Sequence, residues 1–188
     1  VKAQVIRGVL NDAAAADKPG WRDHVVTLAL SKTPEWQRWT ALDGKLVDQS
    51  TFAEHIEDST PEIVTPDAAT MLEIAQSFHA HTAVQFESQK RLRDGQTQLQ
   101  YREETTATAG SAGNIEVPSV IQLSIAPFEV GDEYELIARL RFRLTAGRLA
   151  IGFKLERPDD VLRKAFDEVV ERVQNRTSEV VLYGAPPS

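Results

Sequence analysis

"LIARLRFRLTAGRLAIGFKL", residues 136–155, reads as two strands joined at Ala146-Gly147, and its register decides how the rest of the chain is read. With those two residues as the turn, counting outward pairs Leu144 with Leu149, Phe142 with Ile151, Leu140 with Phe153 and Ala138 with Leu155. That face is apolar throughout. The opposite face pairs Arg143 with Ala150, Arg141 with Gly152 and Arg139 with Lys154. Three guanidinium groups therefore project at two-residue intervals, about 7 Å apart along the strand. The stretch holds five basic side chains and no acidic one. A hairpin of this kind needs a core against its first face and water, carboxylate or phosphate against its second.

Outward from the hairpin, "SVIQLSIAPF" (119–128) alternates, with Ile121, Leu123 and Ile125 on one side. "RPDDVLRKAFDEVVERVQ" (157–174) is an amphipathic helix. Pro158 opens it, Asp159 and Asp160 complement its dipole, and Leu162, Ala165, Phe166, Val169 and Val173 form the apolar stripe. "EVVLYG" (179–184) reads as a last strand. At the other end, residues 1–10 and 22–31 form a hairpin with a long loop. Three short helices follow: one with Thr33 as N-cap and Gly44 just past its end, one from about Ser50 to Asp58, and one from Asp67 to about His79. In the second, Phe52, Ala53 and Ile56 make the apolar stripe, and Glu54, His55, Glu57 and Asp58 the wet side. From Thr82 to about Thr108 two mostly polar strands turn near Asp94-Gly95.

The expected fold class is α+β. A mostly antiparallel sheet carries an inserted group of short helices (about 34–80) and a C-terminal amphipathic helix packed on one face, within a single domain spanning 1–188. The chain opens at Val1 in what reads as a strand, so an upstream N-terminal segment is expected.

Charge is spread unevenly. Residues 34–80 hold nine acids and two bases, a balance of −7, which equals the net charge of the whole 188-residue chain. The remainder is neutral. An acidic chain does not bind duplex DNA over its whole surface, although a local basic stripe is compatible with that balance. No run approaches the roughly 18 apolar residues of a membrane span, and no signal segment opens the chain. The expected setting is the cytoplasm, with no membrane partner. Zero cysteines remove disulfides, thiolate metal sites and a cysteine nucleophile.

The candidate binding residues are therefore basic: Arg139, Arg141, Arg143 and Lys154 on the hairpin, and Arg91, Arg93 and Arg102 on the polar ribbon, where Phe86 and Tyr101 are the nearby rings. Three readings of the hairpin stripe stay open: a solvated sheet face, a surface for phosphates or an acidic partner, and pairing with the acidic helices of the same or a neighbouring chain. The ribbon is a weaker nucleic-acid signal, because Glu87, Glu103 and Glu104 lie on the same strands. The four histidines suggest no closed ligand set. "HAH" (79–81) ends a helix in this reading and has no carboxylate at ligand spacing, so no metal and no cofactor are expected. Glu54, Glu57 and Asp58 in "AEHIED" are the only carboxylates from which a metal-dependent nuclease is drawn. Hydrolase, phosphate-loop, zinc-protease and dinucleotide motifs are lacking.

Four stretches, "GWRDHVVTLALSKTPEWQRWTALDGKLVDQSTFAEHIED", "IAQSF" with the polar ribbon after it, "ARLRFRL" and "LERPDDVLRKAFDEVVERV", resemble in order and spacing the YfdQ-like family of phage and prophage proteins, from Trp21 to Val173. That family is a domain of unknown function, and no catalytic residue carries over from it. The resemblance implies a phage-derived protein of the bacterial cytoplasm, encoded among DNA replication and recombination genes, with an upstream segment. The expected function is a non-enzymatic accessory protein that binds or assembles, with single-stranded nucleic acid, a host or phage protein, or a second copy of itself as partner. The alternatives are a self-assembling structural protein, in which acidic helices dock on the basic hairpin of the next subunit, and the nuclease.

Overall fold

The computed structural model describes residues 4–15, 18–91, 97–109, 115–146 and 148–184. Among the described residues it is an α+β fold of four α-helices and antiparallel ladders, in two compact units. One comprises Val1–Arg38, Ile125–Tyr134 and Arg157–Ser188, and the other Trp39–Ser124 and Glu135–Glu156.

The second unit is built on a five-stranded sheet. In chain order its strands are β5 (Leu46–Val47), β6 (Ile63–Thr65), β10 (Val120–Ile125), β11 (Tyr134–Thr145) and β12 (Arg148–Leu155), arranged β5-β12-β11-β10-β6. The β11–β12 register is the one counted from the turn: Phe142 opposite Ile151, Arg141 opposite Gly152, Arg139 opposite Lys154. Gly147 itself lies outside the described residues; Ala146 has φ +49°, the left-handed backbone a tight turn uses. Ile121, Leu123 and Ile125 are all buried, as their alternation required.

The apolar face of the hairpin is graded. Leu136, Ala138, Ile151, Phe153 and Leu155 are buried, whereas Leu140, Phe142, Leu144 and Leu149, nearer the tip, are half-buried. The expectation of uniform burial is corrected here. Its cause is the reach of the neighbouring strands. Strand β5 meets β12 only at Ile151 and Gly152, and on the other side Leu140 N donates to Ser119 O at 3.0 Å, just ahead of β10. Beyond those points the hairpin runs on as a two-stranded finger among the described residues.

Helices α1 (Pro34–Leu42), α2 (Gln49–Asp58) and α3 (Ala68–Ser77) begin on the same device. Thr33 Oγ1 accepts from Trp36 N at 3.2 Å, Asp48 from Thr51 N at 3.0 Å and Asp67 from Thr70 N at 3.1 Å. Asp48 and Asp67 also accept from the Thr51 and Thr70 hydroxyls at 2.8 and 2.6 Å. These bonds favour the carboxylate and hold both aspartates below the ordinary value of 3.8. Trp39, Phe52, Ile56, Met71, Ile74 and Ala75 bring the helical core. The Trp39 ring lies 4.9 Å from Phe153, and Phe78 lies 5.2 Å from Phe142, so rings from the helical section cover the hairpin's apolar face.

Three local expectations are corrected. His79-Ala80-His81 does not close α3, which stops at Ser77; it opens β7 (His79–Arg91), which pairs with β8 (Thr97–Ala109). His55 belongs to the buried side of α2, 6% exposed, edge-on to Trp39 at 4.7 Å and stacked on Phe153 at 5.4 Å. "EVVLYG" joins no ladder among the described residues. The polar ribbon forms with Phe86 opposite Tyr101, and β9 (Ile115–Glu116) adds to β8; the Asp94-Gly95 turn lies outside the described residues.

The first unit carries the N-terminal ribbon, β1 (Val5–Val9) with β4 (Val25–Ala29), and the short pair β2 (Ala13–Ala15) and β3 (Lys18–Pro19) in the loop between them. Residues 126–129 run beside residues 31–33: Thr33 Oγ1 donates to Ala126 O at 2.5 Å, and Phe128 is buried. Helix α4 (Pro158–Thr177) buries Leu162, Ala165, Val169 and Val170; of the expected stripe, Phe166 and Val173 are only half-buried, and Val170 joins it. Tyr134 donates to Glu168 on that helix, and Lys164 Nζ sits 5.4 Å from the Tyr134 ring centre. Burial and the neighbouring carboxylate push the Tyr134 phenol up to about 12.

Candidate functional site

Strand alternation in β11 dictates that Arg139, Arg141 and Arg143 share a face, and all three are exposed. Their surroundings differ along the strand. Arg139 pairs with the Glu156 carboxylate. Lys154, its cross-strand neighbour, bonds Asp43 Oδ2 at 2.6 Å. The base of the stripe is thus neutralised by acids of the same unit. Arg141 and Arg143, toward the tip, have no ion pair among the described residues, and Arg148 across the hairpin is exposed as well.

The small residues opposite the arginines have a structural cause. A Cβ on Gly152 would lie 2.0 Å from the Lys45 carbonyl oxygen, so a bare backbone is required where β5 closes on β12. Asp43 and Gly44 fix that closure: Asp43 Oδ1 accepts from Leu155 N at 2.8 Å, and Gly44 N donates to Phe153 O at 2.9 Å with φ at +75°, a conformation that favours glycine. Asp43 was not legible as a functional neighbour. Its sequence signal, an acid just before a helix-ending glycine, only becomes a latch when β12 arrives 111 residues later. Between this latch and the finger is an open concavity of about 450 Å³, lined by Gly44, Leu46, Leu140, Arg141, Phe142, Arg143 and Phe153. Arg141 and Arg143, which have no ion pair among the described residues, lie on one face of β11, and Leu140 and Phe142 on the other.

Of the other candidates, Arg91 stands opposite Thr97 and Arg102 opposite Gln85 in the ribbon, while Arg93 lies outside the described residues. Glu54, Glu57 and Asp58 are exposed on α2, and His55 turns inward away from them. No group of three or more histidine, aspartate or glutamate side chains is placed to hold a metal among the described residues. No helix among them is long and apolar enough to cross a membrane.

The family model described as "Uncharacterized conserved protein (DUF2303)" matches residues 3–186. The chain belongs to the DUF2303 family. A comparison with curated proteins finds no match, and a comparison with solved structures finds none either. The DUF2303 match spans both compact units, including the basic hairpin, the helical section and α4, and the family brings no assigned function to them.

Proposed function

We propose that this DUF2303 chain is a non-enzymatic accessory protein of phage or prophage origin, of the YfdQ-like kind, which works in the cytoplasm of a bacterial host and binds single-stranded nucleic acid through the tip of its basic hairpin. One observation carries the reading: Arg141 and Arg143 are exposed without an ion pair among the described residues, while Arg139 and Lys154 beside them are neutralised by Glu156 and Asp43. Two cations about 7 Å apart suit successive phosphates of an extended strand. The phage assignment rests on the four quoted stretches of sequence, and a role in DNA replication or recombination follows from it. The ribbon residues Arg91, Arg93 and Arg102 belong to this proposal on their sequence alone.

The test is fluorescence anisotropy with labelled single-stranded DNA at low and moderate salt. Arg141→Gln with Arg143→Gln should weaken binding at least tenfold and make its salt dependence shallower by roughly 0.7 in log–log slope per lost phosphate contact.

A second reading is favoured by the exposed acids of α2. Glu54, Glu57 and Asp58 of one copy would dock on Arg141 and Arg143 of the next in a self-assembling protein. There the same double substitution lowers the mass in solution with no DNA present.

A further inference from the structure

The N-terminal ribbon carries an apolar face that its own ladder leaves open. Ile6 stands opposite Leu28 and Gly8 opposite Val26, and Leu10 N donates to His24 O at 2.9 Å beyond them. Alternation sets Ile6, Leu10, Val26 and Leu28 on one side. Leu10 is 76% exposed, Val26 59% and Leu28 38%, and a Cβ on Gly8 would meet nothing within 4 Å. A two-stranded ribbon with an apolar face in water is marginal by itself, and its edges, unpaired among the described residues, invite a further strand.

The same unit holds a strand-forming segment with no ladder. Glu179–Tyr183 follow directly on Ser178, the C-cap of α4. Val180 and Leu182 are 80% and 86% exposed, while Val181 between them is half-buried. The segment is five residues long, as are β1 and β4. Its far end is held to α4 by the Tyr183 hydroxyl, which donates to Asp167 Oδ1 at 2.9 Å.

We propose that the ribbon and this segment are the two halves of one contact between two copies of the chain. Residues 179–183 of one copy add to the ribbon of the other as a third strand, placing Val180 and Leu182 beside Val26 and Leu28. The occupant is a second copy because within one chain the segment follows directly on the cap of α4 and is pinned to that helix again at Tyr183, so that among the described residues the ribbon has two strands. A two-fold axis makes the exchange reciprocal and closes it at a dimer. The proposal is independent of the arginine stripe.

Light scattering on the full chain, joined to hydrogen exchange, decides it. The wild type should run at about twice the chain mass, with slow-exchanging amides in both 179–183 and the ribbon. Val180→Asp with Leu182→Asp should halve the mass and release both sets of amides. Val26→Asp, on the ribbon side, should do the same. Circular dichroism should show each variant folded. A wild type at single-chain mass overturns the proposal, as does a dimer whose mass survives both sets of substitutions. Protected 179–183 amides in a single-chain species also overturn it, since they report pairing within one copy.

Discussion

Gly152 and Tyr134 show what single residues do in this chain. Gly152→Ala places a methyl against the Lys45 carbonyl, which is backbone and cannot swing aside. It should cost about 1–3 kcal/mol, as overpacking does, with β5 displaced from β12. Chemical denaturation checks the cost, and an unchanged midpoint would mean that the Lys45 segment is free to move. Tyr134 has a different signature. Its phenol ordinarily titrates near 10 and is pushed up to about 12 in the fold, so its protonated form is favoured there. The stability it lends is complete below pH 10 and is lost as pH rises through the folded value. Spectrophotometric titration should find a late phenol that vanishes in Tyr134→Phe, together with a smaller alkaline loss of stability. The sequence conceals both residues. Gly152 reads merely as small until Lys45 is known to close on it, and Tyr134 acquires its partner Glu168 only through the fold.

At the level of elements, the legible features are those whose cause is local. The β11–β12 register follows from a turn dipeptide and period-two alternation, so counting suffices. Thr33-Pro34 and Asp67 start helices for reasons carried within four residues. His55 sits next to the apolar stripe of α2, and its burial depends on Trp39 and Phe153 from other elements. "EVVLYG" has strand composition, but a strand also needs a partner edge, which composition does not supply. The caps give a pH prediction. Asp48 and Asp67 titrate below 3.8 in the fold, so their contribution is present above about pH 4 and lost as pH falls through their lowered values. Asp48→Ala with Asp67→Ala should lower the thermal midpoint at neutral pH and shrink its fall between pH 4 and pH 2. Phe153→Ala, in the ring cluster with Trp39 and His55, should cost about 3–5 kcal/mol by denaturant unfolding.

For the whole molecule, the sequence separates an acidic stretch from a basic hairpin, and the structure divides the hairpin again. Its base is neutralised by Asp43 and Glu156, whereas Arg141 and Arg143 at its tip have no ion pair among the described residues. That division was illegible, because Asp43 lies 111 residues from Lys154 in the chain. The proposed binding therefore predicts different effects along the stripe. Arg139→Gln breaks an ion pair with Glu156 and should leave nucleic-acid affinity within about threefold of wild type, whereas Arg141→Gln and Arg143→Gln remove charges with no ion pair among the described residues. The measurement that tests this most directly is single-stranded DNA binding by anisotropy, run beside light scattering on the Arg141→Gln, Arg143→Gln double variant. The account predicts an affinity loss of at least tenfold with a shallower salt slope, at unchanged mass and unchanged thermal midpoint. Wild-type affinity in that variant, or a wild type that binds no single strand at low salt, would contradict it.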